Sequence, residues 1–233
     1  MKCSISKWTK TSVFIGFLLI LSALLMFSTD AENQLVFKSN ASNHNKIAIT
    51  FDDGPHPRKT KEIVDILQKY NVKSTFFVVG VNVKNYPESI NLIVSDGHEI
   101  GNHTFSHSVL KSKSVKEIKR EILETERILG EYSVPKVELL RPPCGLYDDN
   151  LLRVAGDMDY KIVLWTVDTE DWAHKSSKEI VSNVLENIHG GDIILFHDYT
   201  SGVNNTVEAL DVIIPKLMEM GYELVTVSEL LQN

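Results

Sequence analysis

Cysteine is almost absent from the 233 residues. Cys3 and Cys144 are the only two, so the body of the chain contains no internal disulfide and must hold together through its own apolar core. A cationic surface is also missing. Lysine and arginine total 24 against 31 aspartates and glutamates, for a net charge of −7. Because Lys2, Lys7, Lys10 and Asp30 give the first 31 residues +2, the remainder carries −9. Phosphate backbones are bound by clustered Lys and Arg, so this balance excludes a nucleic-acid partner. No glycine-rich phosphate loop occurs either: "DDGPHP", Asp52 to Pro57, fits neither the dinucleotide fingerprint nor the P-loop. There is no internal repeat and no low-complexity tract.

A membrane-spanning run of about 18 apolar residues is not reached. Val13 to Phe27 offers fifteen residues without a charge, preceded by the three lysines and followed by the polar "STDAEN". With Thr29 and Ala31 placed like a small-residue cleavage site, this is the order of a secretory signal peptide. Residues 1–31 are therefore read as a signal peptide or an uncleaved N-terminal anchor. Both readings place the body outside the cytoplasm, with the lysines inside. No Cys follows the run, which excludes a lipoprotein anchor.

What is present is an ordinary globular composition, 43% hydrophobic and 24% charged. Residues 32–45 are polar and rich in Asn and Ser, and read as a linker. From Lys46 onward β-rich runs alternate with helical periodicity. The strand candidates are "IAITF", "STFFVV", "HEIGN", "VELLRP", "KIVLWTV", "DIILFH" and "ELVTV". "RKTKEIVDILQKY", "SVKEIKREILETERILGEY" and "TVEALDVIIPKLMEMG" carry apolar stripes at helical spacing, the last with Pro215 as a candidate kink. Seven strands alternating with helices imply parallel βαβ units in one α/β domain. An open doubly wound sheet and a (β/α) barrel both satisfy that pattern.

The placement of polar residues favours the barrel. Asp52 and Asp53 end the first strand, "GNHTFSH" follows the third, "RPPCG" ends the fourth, "DTEDW" the fifth and "FHD" the sixth. In a parallel barrel these carboxyl ends converge on one face, where barrel active sites are built. "HTFSH" sets His103 and His107 four residues apart, a spacing that stacks two imidazoles on one face of a helical turn. Two histidines and an aspartate from a neighbouring strand end would leave a fourth metal position open for water, the pattern of a catalytic zinc site. A cation there would also relieve the repulsion between adjacent aspartates. Taken alone, the doublet reads first as a solvated turn, since Asp-Gly and Gly-Pro are ordinary turn chemistry.

"TFDDGP", "HTFSH", "RPPCG", "DTEDW" and "LFH" stand in the order and spacing of five motifs, and the segment 47–227 that holds them resembles the polysaccharide deacetylase family, carbohydrate esterase family 4, whose unit is the NodB homology domain. The resemblance implies a distorted (β/α) barrel over 46–233 and a metal-dependent hydrolase that removes N-acetyl groups from a glycan. It implies Asp53, His103 and His107 as ligands of zinc, with cobalt or another divalent ion as alternatives. Asp52 would be the general base and His197 the acid that protonates the leaving amine. Asp171 would orient His197 and raise its pKa, and Arg141 would pair with the base. Trp172 and Leu195 would wall the acetyl pocket, where the plain alternative for both is core packing.

One position departs from the family pattern. Cys144 stands where the third motif carries a tyrosine whose backbone N–H serves the oxyanion. A backbone donor survives a change of side chain, so activity is expected to persist while the aromatic wall is lost. The thiol as nucleophile or extra ligand is the weaker alternative. His98 is read as a loop support, His56 as a turn residue lining the groove and Asp168 as the anchor of the strand-five loop; His44, His174 and His189 have no nameable partner, and the role of Asp198 is open. The favoured substrate is an N-acetylated cell-wall glycan, with peptidoglycan first and chitin-type oligosaccharides next. The competing readings are a non-catalytic glycan-binding relic and a metal amidase acting on a small amide. The membrane enters only through the N-terminal segment, and nothing in the sequence marks an oligomeric state.

Overall fold

Alternation along one long strand sets the architecture. The computed structural model describes residues 35–36, 44–200 and 205–232. The leader, residues 1–31, lies outside them. The first elements are β1 (Leu35–Val36) and β2 (Lys46–Asp52). Along β2 every residue after Lys46 is buried. Ile47, Ile49 and Phe51 join the large apolar cluster shared with the helices, whereas Ala48 belongs to a second, smaller cluster. Successive side chains on a strand point to opposite faces, so Thr50 and Asp52 share the Ala48 side.

The other elements follow in order: α1 (Lys59–Lys69), β3 (Thr75–Val78), α2 (Gly80–Asn85), α3 (Pro87–Ser95), β4 (Glu99–Asn102), α4 (Val115–Leu129), β5 (Leu139–Leu140), α5 (Asp149–Asp157), β6 (Lys161–Val163), β7 (Val167–Asp168), α6 (Ser177–Asn187), β8 (Ile193–His197), α7 (Thr206–Glu219), β9 (Glu223–Val225) and α8 (Val227–Leu231). Every pairing is parallel. The path runs β1-β6-β5-β4-β3-β2-β8-β7, with β9 also on β2. All seven expected strands are present, and among the described residues they count as nine for two reasons. "KIVLWTV" breaks into β6 and β7, and Leu35–Val36 inside the presumed linker adds a short parallel pairing to β6.

The break decides how the barrel closes. β6 pairs with β5 on one side, β7 with β8 on the other. The ring is thus completed by the covalent chain through Leu164, Trp165 and Thr166 rather than by a ladder. The result is a curled, incomplete barrel within a single α/β domain. The second cluster, Ala48, Phe77, Leu139, Val163, Ile193 and Val225, fills its interior, and Val227 and Leu230 of α8 pack against it. Between sheet and helices, Phe51 stacks on Phe76 at 4.8 Å and on Phe196 at 5.8 Å, in a layer that excludes water.

Local signals fix the helices. α4, α6 and α8 each start with a capping box, Ser114–Glu117, Ser176–Glu179 and Thr226–Glu229. α7 runs through Pro215 to Glu219 as one helix.

Candidate active site and metal centre

The interior face of β2 delivers Asp52 to the carboxyl end of the barrel, 3% exposed. The next residue leaves the strand. Asp53 has φ +75°, a left-handed turn that swings its carboxylate away from that of its neighbour. Asp52 Oδ1 accepts from Arg141 Nη1 at 2.7 Å, whereas Asp53 Oδ1 lies 3.1 Å from His107 Nε2 and 3.4 Å from His103 Nε2. The two like charges are therefore compensated by different partners.

Arg141 leaves β5 fully buried and spends every arm. Its Nη1 also donates to Thr50 Oγ1 (2.8 Å), Nη2 to the Leu164 carbonyl (3.1 Å) and Nε to the Val163 carbonyl (3.3 Å). Phe77 lies against the guanidinium, 4.0 Å from ring centre to Cζ, a contact that favours the cation.

His103 and His107 do not sit on a helical turn. Residues 103–107 form a loop in which Thr104 (φ +68°) and His107 (φ +56°) are left-handed, and the rings meet with centroids 5.0 Å apart. His103 Nδ1 is 2.7 Å from the Arg141 carbonyl. A carbonyl only accepts, so Nδ1 donates to it and Nε2 is the ring atom left facing Asp53. That is the outer-shell arrangement of a metal-ligating histidine. Among the described residues, Asp53, His103 and His107 offer ligand atoms all within 4.8 Å of one another. Zinc bonds of 2.0–2.1 Å in a tetrahedron put ligand atoms about 3.3 Å apart. The two carboxylate–imidazole separations match that spacing, so the residues fit a small divalent cation. Burial alone would raise the Asp53 pKa, but hydrogen bonds from His103 and His107, with charge from His103 and His197, hold it below the usual carboxylate range.

On the opposite side, His197 ends β8. Asp171 Oδ1 is 2.7 Å from its Nδ1, and Asp171 Oδ2 accepts from the His197 backbone N–H (2.9 Å) and from Thr206 Oγ1 (2.7 Å). Burial pushes the imidazole pKa down, but the Asp171 hydrogen bond and charge, with Asp52 and Asp53 behind it, raise it to about 9. Asp171 opens a short 3-10 turn bounded by left-handed Glu170 (φ +54°) and His174 (φ +58°). That turn buries Asp171 and leaves Trp172 54% exposed, which removes core packing as an account of the tryptophan. Leu195 is buried on the same strand face as His197. Cys144 is exposed, in a 3-10 turn with φ +60°.

The residues assigned lesser roles behave as supports. His56 Nδ1 accepts from the N–H groups of Arg58 and Lys59 and so caps α1. His98 is buried, accepts from the Ser74 N–H, and burial lowers its pKa to about 4. Asp168 accepts from the Glu170 N–H and anchors that loop. Asp198 is fully buried, with its pKa pushed by burial to about 7. Three further contributors carry no motif signal: Thr50 under Arg141, Thr206 behind Asp171, and Asn82, whose Nδ2 donates to the Asp53 carbonyl at 2.7 Å.

The family model for polysaccharide deacetylase matches residues 39–163. The chain belongs to the polysaccharide deacetylase family. A peptidoglycan-N-acetylglucosamine deacetylase of Bacillus cereus is 39% identical over 193 residues, covering 82% of this chain and 90% of that protein. Peptidoglycan-N-acetylmuramic acid deacetylase PdaC of Bacillus subtilis is 42% identical over 188 residues; these make up 81% of this chain but 39% of PdaC. Among solved structures, a peptidoglycan N-acetylglucosamine deacetylase bound to an N-hydroxybenzamide superposes with TM-score 0.83 at 38% identity, over 89% of this chain and 97% of that one. A pseudoenzyme of the family from Bacillus anthracis superposes with TM-score 0.80 at 33% identity, over 86% and 69%.

Proposed function

We propose that this family member is a metal-dependent N-deacetylase of a cell-wall glycan, acting outside the cytoplasm on the N-acetylglucosamine or N-acetylmuramic acid of peptidoglycan, with chitin-type oligosaccharides as the next candidate. The observation that carries the reading is the divided doublet, with Asp52 held by Arg141 and Asp53 facing two imidazole Nε2 atoms.

Asp53, His103 and His107 would hold the ion, zinc in the first instance and cobalt as an alternative. When bound, it supplies Lewis-acid polarisation of the acetamide carbonyl and acidification of water. Asp52 is left as a base, because Arg141 engages only its Oδ1 while Oδ2 stays on the His103 side, 3.8 Å from Nε2. It accepts the proton of the attacking water. His197, kept protonated by Asp171, gives a proton to the departing sugar nitrogen, which is a poor leaving group as an anion. Cys144 contributes its backbone N–H to the oxyanion, and Trp172 and Leu195 border the acetyl methyl. No helix of the described residues is long and apolar enough to cross a membrane, so an attachment to the membrane would use the N-terminal segment.

The test is acetate release from purified peptidoglycan, chitooligosaccharides and small amides, with and without chelator. Release from the glycans that stops with chelator and returns with zinc or cobalt supports the reading. Release from small amides alone moves the substrate, and glycan binding without release leaves the relic. The Cys144 departure and the Bacillus anthracis pseudoenzyme are the grounds for that second reading.

A further inference from the structure

Gly54 follows the doublet and reads as turn chemistry, yet it is not among the positive-φ glycines. Its requirement is steric. A β-carbon built on Gly54 would lie 2.1 Å from both carboxylate oxygens of Asp198 and 2.3 Å from its Cγ. The carboxylate occupies the space a side chain at 54 would need. Asp198 is 1% exposed. Its Oδ2 accepts from Thr60 Oγ1 at 2.5 Å, whereas Oδ1 finds no hydrogen-bond donor among the described residues. Thr60 Oγ1 in turn accepts from the His56 N–H at 2.7 Å, and the Asp198 N–H donates to the Asp52 carbonyl at 3.2 Å.

These contacts complete a cage around residues 52–56. The Asp53 carbonyl is held by Asn82, the Gly54 carbonyl by the Val79 N–H (2.8 Å), and the His56 carbonyl by Ser89 Oγ (3.1 Å). Within that cage the three atoms nearest a β-carbon at Gly54 all belong to Asp198. Asp53 adopts a left-handed φ one residue earlier, a conformation that persists in a non-glycine residue only when its surroundings impose it.

We propose that Asp198 is a positioning residue for the doublet. Interlocked with the bare Cα of Gly54 and tied through Thr60 to His56, its side chain fixes the backbone that points Asp53 at the two histidines and Asp52 at Arg141. The inference rests on the assignment of Asp53 as ligand and Asp52 as base. The shape of the side chain and its acceptor oxygen do the work, so asparagine serves in its place and alanine does not.

The experiment titrates metal-free protein with Zn2+ by calorimetry, records the visible spectrum of the Co2+ form, and measures kcat and KM for glycan. Asp198→Ala weakens Zn2+ binding about tenfold or more, the range seen when outer-shell partners of a metal site are lost, alters the Co2+ bands and lowers kcat with KM nearly unchanged. Asp198→Asn recovers Zn2+ affinity to within a few-fold of wild type. Gly54→Ala is as damaging as Asp198→Ala, but adds little in the Asp198→Ala background, where the β-carbon finds room; this coupling is the mark of an interlocked pair. If Asp198→Ala does not fold, Thr60→Val reads the same tie from α1 and shows the same direction of loss. Wild-type Zn2+ affinity in Asp198→Ala or Thr60→Val overturns the proposal, as does an Asp198→Asn protein as impaired as the alanine variant, or additive losses at 54 and 198. Failure of the wild type itself to bind Zn2+ or release acetate instead counts against the proposed function.

Discussion

Arg141 Nη1 stands 2.7 Å from Asp52 Oδ1 while its Nη2 and Nε hold the carbonyls of Leu164 and Val163. Those carbonyls border the gap between β6 and β7, where the barrel has no ladder. One guanidinium thus compensates Asp52, the proposed base, and also satisfies backbone acceptors that the broken strand would otherwise bury unpaired. The Asp52–Arg141 pair and the closure of the fold share one side chain.

Arg141→Lys is therefore not conservative. An ammonium can keep one of these partners but cannot reach all four in fork geometry. Each buried acceptor left without its donor costs about 1–3 kcal/mol. The expected outcome is a lower melting temperature together with acetate release reduced at least a hundredfold. Thermal unfolding and an acetate assay on the same preparation check it; unchanged stability would sever the closure argument from the base argument.

Asp52→Asn separates base from ligand. The amide keeps the volume and an acceptor for Arg141, and the Asp53 triad is untouched, so zinc affinity should stay within a few-fold of wild type while turnover falls by the roughly hundredfold or more that general-base catalysis contributes. Calorimetry and acetate release check the two halves independently. Asp53→Asn should do the reverse, losing metal first.

The strand ends were legible in the sequence because each buried apolar run stopped on residues that cannot be buried without partners, such as Asp52 after "IAITF" and His197 after "IILF". The barrel's break was not. "KIVLWTV" is apolar throughout, and only the tertiary pairing of β6 with β5 and β7 with β8 divides it. The histidine spacing suggested a helical turn for a similar reason: i and i+4 meet on a helix, but two left-handed residues, Thr104 and His107, bring them together in a loop as well. Gly54 carried the least visible information. A turn and a close approach look alike in sequence, and the residue it makes room for, Asp198, lies 144 positions away.

With the backbone N–H of Cys144 serving the oxyanion as proposed, the thiol is expected to bear on substrate preference rather than on the chemistry. Cys144 takes φ +60°, and any β-carbon meets the same backbone there, so tyrosine and cysteine present their N–H groups alike. Cys144→Ala should keep acetate release within about threefold, the margin left when an oxyanion donor worth 10²–10³ is retained. Cys144→Tyr should shift the ratio of kcat/KM between peptidoglycan and chitooligosaccharide. Loss of all activity in the alanine variant would make the thiol itself a participant.

Asp171→Asn tests the acid through its titration. The His197 pKa is raised from 6.5 to about 9, so the protonated acid persists through neutral pH and is lost as pH rises through that value. The same shift contributes stability that is complete below the unfolded value near 6.5 and disappears as pH climbs through about 9. A neutral amide at 171 removes the largest contribution that raises the pKa and leaves burial to depress it. The alkaline limb of kcat/KM should then move to lower pH by more than one unit, with the acid limb in place, and the alkaline loss of thermal stability should move with it. A pH–rate profile and melting curves across pH 6–10 check both; an alkaline limb that stays where it was would remove His197 from the role of acid.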